Sequence, residues 1–143
     1  ELTNAADLSM TSLEQSEIDF SDIRDGGSKR VIAQPRYLLV PKEQRFNAHR
    51  LLRSEKDPEN DTNAVNPQIE VGLQPIVWNY LDDTDAWFLL TEKEEHRLLV
   101  FEREAPWTDY DWDFETKDYR FSLMFAESSG WATPLGVFGS PGV

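Results

Sequence analysis

Carboxylates stand beside aromatic rings at two places in this chain. Asp82, Asp83 and Asp85 come just before Trp87 in "LDDTDAWFLL", and Asp109, Asp111 and Asp113 alternate with rings in "WTDYDWDF". Three readings fit that pairing. A glycosidase needs one carboxylic acid with a raised pKa and a second carboxylate at a set separation. Trp78, Trp87, Trp107 and Trp112 would then line a cleft or a sugar-binding face. A calcium loop begins with alternating aspartates, as Asp109, Asp111 and Asp113 do, but then requires a glycine and a closing glutamate. Those positions hold Phe114 and Arg120. The third reading is structural: an acidic turn feeding a packed strand, and alternating aspartates facing solvent from extended chain. With 27 Asp and Glu, any fold brings two carboxylates together by chance, so the third reading is preferred.

Nothing else in the sequence proposes catalysis. The two histidines, His49 and His96, lie far apart, one among arginines and one in a charged stretch. No HExxH, GxSxG, GxGxxG or P-loop pattern occurs. The absence of cysteine removes disulfides, thiol nucleophiles and Cys-based zinc sites. The expectation is no catalytic residue, no metal and no cofactor.

The elements that carry these residues follow from periodicity and turn chemistry. "LSMTSLEQSEIDFSDI" predicts a helix, with Thr11 and Glu14 at capping-box spacing and Met10, Leu13, Glu17 and Phe20 at helical intervals. "RDGG" ends it, with Gly26 or Gly27 admitting positive φ. Tyr37–Val40, between Pro35 and Pro41, predicts a buried strand. Pro41 opens a second helix over 42–53, crowded with Lys42, Arg45, Arg50 and Arg53. "SEKDPENDTNAVNPQ" predicts a long polar loop. From Ile69 the pattern turns to strands: two pieces in "IEVGLQPIVWNYL", then "AWFLLT", "RLLVFER" and "KDYRFSLMFAESS". "TEKEEHR" predicts a hairpin connection, 104–113 an acidic aromatic loop, and the Gly- and Pro-rich tail no regular structure. In 119–126, Tyr119, Phe121, Leu123 and Phe125 share one face against Arg120, Ser122, Met124 and Ala126. The fold class is α+β, helices first and then a mostly antiparallel set of strands.

Bulk properties narrow the function. A chain of 143 residues fits one domain with a real core, and 12% aromatics argue against wholesale disorder. A net charge of −13 repels phosphate backbones and anionic lipid, so no specific nucleic-acid binding and no membrane partner are expected. "ELTNAADLSM" lacks the basic and apolar regions of a signal peptide. Because the chain begins at Glu1, it is expected to be a processed product or part of something longer.

Four stretches, in order, resemble tailed-bacteriophage major capsid proteins. They are "QPRYLLVPKEQRFNAHRLLRS", "DTNAVNP", "YLDDTDAWFLL" with "FEREAP", and "DWDFETKDYRFSLMFAESSGW". Together they cover most of residues 31–131. The resemblance implies the HK-ninety-seven-type capsid fold, in which an axial domain meets its copies around five- and six-fold axes. It implies axial-domain-like material over 1–113, and over 114–143 a closing strand and tail that return to the peripheral domain. It covers only the C-terminal portion of such a subunit, without the N-terminal arm, extended loop and spine helix. The arginine expected just after Trp131 is Ala132 here.

The function implied is a structural subunit of an icosahedral phage head that encloses the DNA genome. Such a subunit is located in the virion and assembled in the host cytoplasm. Its partners would be copies of itself in pentamers and hexamers, and the rest of the capsid subunit. The alternative is a carbohydrate-binding or glycoside-hydrolysing domain using the Asp and Trp clusters. Candidate intersubunit contacts are the basic Lys42, Arg45, Arg50 and Arg53, and the acidic aromatic set Glu104, Trp107, Asp109, Asp111 and Trp112. Trp87 is expected in the core.

Overall fold

A computed structural model describes residues 6–59, 64–132 and 135–142. Its helices are α1 (Met10–Ser21), α2 (Arg45–Arg53), α3 (Gln68–Val71) and α4 (Lys93–His96). Its strands are β1 (Tyr37–Pro41), β2 (Gln74–Trp78), β3 (Trp87–Leu90), β4 (Leu98–Trp112), β5 (Tyr119–Trp131) and β6 (Val137–Ser140). The chain divides into two units, one of residues 1–96 with 133–143 and the other of residues 97–132.

The first unit is built on a four-stranded sheet in the order β2-β1-β3-β6. β1 and β2 run parallel, while the β1–β3 and β3–β6 pairs are antiparallel. Central strands β1 and β3 alternate in burial, so Leu38, Val40, Trp87 and Leu89 all enter the core. Helix α1 adds Met10, Leu13 and Phe20, and α2 adds Ala48, Leu51 and Leu52. Trp87 is 1% exposed, and its indole N–H donates to the Ala6 carbonyl at 2.9 Å. The expected core role of Trp87 is therefore observed.

Several local expectations change. The N-cap of α1 is Ser9, not Thr11: the Ser9 hydroxyl accepts the Ser12 N–H at 3.1 Å, and Ser12 returns the bond to the Ser9 N–H at 2.9 Å. After α1 the positive φ falls on Ser28, not on Gly26 or Gly27. Asp25 accepts the N–H groups of Gly27 and Lys29 there and sets the turn. The polar loop after α2 is pinned by a buried Asn66. Its amide donates to the Leu51 and Ser54 carbonyls at 2.7 and 2.9 Å, and its oxygen accepts the Gln68 N–H at 2.9 Å. One side chain thus satisfies orphan groups at the end of α2 and the start of α3. Residues 60–63 of that loop lie outside the described residues.

The first strand expected from Ile69 is instead the one-turn helix α3, which ends at Gly72 with φ 72°. "TEKEEHR" forms α4 rather than a hairpin connection, because β3 and β4 belong to different sheets. The tail forms β6, completing the sheet beside β3. Its glycine is a packing feature: Gly139 pairs with Phe88, and a Cβ at Gly139 would collide with the Phe88 ring.

The second unit is a two-stranded antiparallel ribbon of β4 and β5. Its base is closed by the Ala132 N–H donating to the Arg97 carbonyl at 3.1 Å. Its tip is a turn over 113–118, where the Asp113 carbonyl accepts the Lys117 N–H at 2.9 Å. The segment 104–113, expected as a loop, is therefore almost entirely strand. The boundary expected between residues 113 and 114 falls in the turn that joins the two strands.

Candidate functional site

The ribbon carries a dense set of exposed apolar residues, most of them aromatic. Tyr110, Trp112, Tyr119, Phe121, Leu123 and Phe125 are all exposed. The register explains their grouping. Tyr110 faces Phe121 and Trp112 faces Tyr119, and directly opposed residues of an antiparallel pair point to the same side. One distal face is thus aromatic. Its rings touch as a ladder, with centroids 5.5 Å apart for Tyr110–Phe121 and 6.3 Å for Trp112–Tyr119. The expected segregation of Tyr119, Phe121, Leu123 and Phe125 from Arg120, Ser122, Met124 and Ala126 agrees with this register.

The opposite face is acidic. It carries Asp111 across from Arg120, Asp109 across from Ser122, Trp107 across from Met124, and Glu104 across from Ala126. The pairing shifts between Glu102 and Glu104 and again between Glu104 and Trp107. Pro106 lies in the second irregularity, where a residue without an N–H is tolerated. The Trp107 indole N–H donates to Glu104 Oε1 at 2.6 Å, which holds the ring on this face.

The remaining aspartate of the alternating set does turn work. Asp113 Oδ1 accepts the Glu115 N–H at 3.0 Å, and its Oδ2 pairs with Arg120 at 2.7 Å. Asp109 Oδ1 accepts the N–H of Tyr110 at 2.9 Å. Among the described residues no group of three or more His, Cys, Asp or Glu is placed to hold a metal ion. Asp82, Asp83 and Asp85 form a bend before β3 in which Asp83 Oδ1 accepts the Asp85 N–H at 3.1 Å. His49 sits exposed on α2 and His96 ends α4.

The basic residues divide similarly. Lys42 precedes α2 and pairs with Glu43 at 3.5 Å. The Arg45 guanidinium lies 5.9 Å from the centre of the Phe46 ring. Arg50 and Arg53 fall in the last turn of α2 and, with Phe46, His49 and Ser54, line a shallow open hollow. Phe46 is 69% exposed at its edge. Of the nine candidate contacts, Glu104, Trp107, Asp109 and Asp111 share one ribbon face, whereas Trp112 belongs to the other. Arg50 and Arg53 share one hollow, whereas Lys42 and Arg45 do not line it.

The sequence does not reveal the aromatic face as exposed, because its hairpin is weakly marked. Its turn contains no glycine, and the left-handed position is held by Lys117 at φ 63°. The one available signal was Asp113, five residues before Asp118, in a polar break between two ring-rich segments.

Among the described residues no helix is long and apolar enough to cross a membrane. No curated protein and no solved structure matches the chain. A family model described as "phage capsid protein" matches residues 2–138.

Proposed function

The chain belongs to the phage capsid protein family, and from that premise we propose that it is a subunit of an icosahedral phage head whose exposed ribbon joins neighbouring copies. Membership gives the coarse role: a structural protein of the virion capsid that self-associates into a shell. The finer reading is a major head protein of a tailed phage, with the HK-ninety-seven-type fold and copies arranged as pentamers and hexamers around the DNA genome.

The observation that carries the reading is the ribbon's aromatic face. A two-stranded ribbon alone is marginal in water. A contiguous patch of exposed rings marks an interaction surface. A shell subunit meets many identical neighbours and covers such a face by association. The net charge of −13 fits a wall that does not cling to packaged DNA.

The carbohydrate reading is less well supported. Tyr110 and Trp112 lie on one side of the ribbon and Asp109 and Asp111 on the other. A sugar stacked on those rings would have the backbone between it and the carboxylates, and Trp107, the ring on the acidic side, has its indole N–H held by the Glu104 carboxylate.

Negative-stain micrographs of the concentrated protein, with sedimentation velocity, test the proposal. Closed shells, rings or capsomer-sized oligomers are the expected result. A chain that stays monomeric and whose tryptophan fluorescence responds to an oligosaccharide would overturn it.

A further inference from the structure

We propose that the hollow on α2 is the receptor for the acidic face of the ribbon of a second copy, with Trp107 as the inserted anchor. This rests on the shell-subunit reading and names the surfaces that would carry one of its contacts.

The hollow offers an apolar ring, Phe46, rimmed by Arg50 and Arg53. Neither guanidinium has an ion-pair partner among the described residues. An arginine stacks on indole and binds carboxylate through a planar fork, so the site suits a ring flanked by acids. The ribbon's acidic face presents that combination. Trp107 is exposed yet held by Glu104 at 2.6 Å, which lowers the cost of fixing it in a complex. Asp111 stands opposite Arg120, but Arg120 pairs with Asp113 instead, at 2.7 Å. Asp111 is therefore left without an ion pair among the described residues.

Spacing agrees with charge. Arg50 and Arg53, three apart on a helix, have Cβ atoms about 5–6 Å apart. Asp109 and Asp111, two apart on a strand, are separated by about 6.7 Å. Two long guanidinium side chains bridge that small difference, so both pairs form in one register. A slip of one residue along β4 would present Tyr110 and Trp112 instead, from the wrong face.

A charge exchange in the full chain tests the contact. Arg50→Glu with Arg53→Glu is expected to cut particle yield by about tenfold or more at low salt, where screening is weakest. Adding Asp109→Arg with Asp111→Arg is expected to restore most of it, whereas Glu94→Arg with Glu95→Arg, which returns the same net charge from exposed positions outside both faces, is not; equal rescue by the two pairs would overturn the contact. Arg50, Arg53, Asp109 and Asp111 are exposed, but two carboxylates in the last turn of α2 and an arginine opposite Arg120 should each lower the melting temperature modestly, so yields are compared where thermal melts show every variant folded. The chain has no cysteine, which permits a second measurement. Ser54→Cys, at the rim of the hollow, and Ser122→Cys, on the acidic face, leave the anchor and both arginines in place; the two proteins, mixed and treated with a short flexible bismaleimide, should give a mixed cross-linked dimer in higher yield than either protein cross-linked alone. Wild-type assembly with unimpaired arginine-reversed assembly, or no mixed dimer beyond random collision, overturns this contact and leaves the shell reading standing. A wild type that never associates overturns the shell reading itself.

Discussion

The sheet unit and the ribbon put the same kinds of side chain to opposite uses. Trp87, on β3, is 1% exposed, whereas Trp112, on β4, is 55% exposed. The physical difference lies in what covers each strand. β3 has a neighbour on either side and helices supplying Leu13, Phe20 and Leu51 to the same core. β4 has one neighbour in its own unit and no helix. The sheet unit buries its central strands under its own helices. The ribbon's rings have no such cover within their own unit.

The sharpest way to break that contrast is to truncate one ring in each unit. Trp87→Ala removes a fully buried indole and its bond to Ala6, and should cost about 3–5 kcal/mol in urea denaturation. Trp112→Ala loses only its cross-strand contact with Tyr119 and should cost the unassembled chain no more than about 1 kcal/mol. Its effect belongs to assembly yield instead. Equal losses from the two changes would show that the ribbon is covered within its own chain.

A smaller effect probes the edge of the sheet unit. Gly139→Val places a side chain against the Phe88 ring. The overpacking should cost about 1–3 kcal/mol and lower the melting temperature of the unassembled chain. An unchanged melt would mean that β6 does not hold the edge of the sheet.

Much of the sheet unit was legible because its signals are local or periodic. The run Tyr37–Val40 between prolines is β1, "AWFLL" is β3, and the arginine-rich segment is α2. What escaped depended on partners distant in sequence. Gly139 counts against a strand until Phe88 is known to cross it. Asn66 looks like loop polarity until the carbonyls of α2 are known to meet it. The candidate site was legible in composition but not in arrangement. The acids and rings of 104–113 stand out in the sequence, yet their division between two faces required the pairing with β5. That pairing was hidden by a glycine-free turn.

The smallest expected effect concerns Glu17, a carboxylate that the sheet unit half buries. Glu17 lies on α1 beside Gln68, and its Oε1 has no hydrogen-bond partner, as is true of Gln68 Oε1. Burial raises its pKa above the ordinary 4.5; the Gln68 side chain pulls it back by hydrogen bonding, and the nearby Glu14 carboxylate pushes it up. The native state therefore binds the proton more tightly than the unfolded chain. Stability from this group is fully present below the ordinary value and is lost as pH rises through the higher native value. Glu17→Gln should then leave stability unchanged at about pH 4 and raise it by a fraction of a kcal/mol at about pH 7.5, with solvent screening keeping the gain small. Removing any charge from so acidic a chain also relieves general repulsion, so a control is needed. Glu115→Gln takes the same charge from the exposed turn of the ribbon, away from any strand pair. If its gain matches that of Glu17→Gln at every pH, repulsion explains both and the burial of Glu17 contributes nothing. If only Glu17→Gln gains as pH rises, the two units differ in how they treat a carboxylate as they do in how they treat a ring.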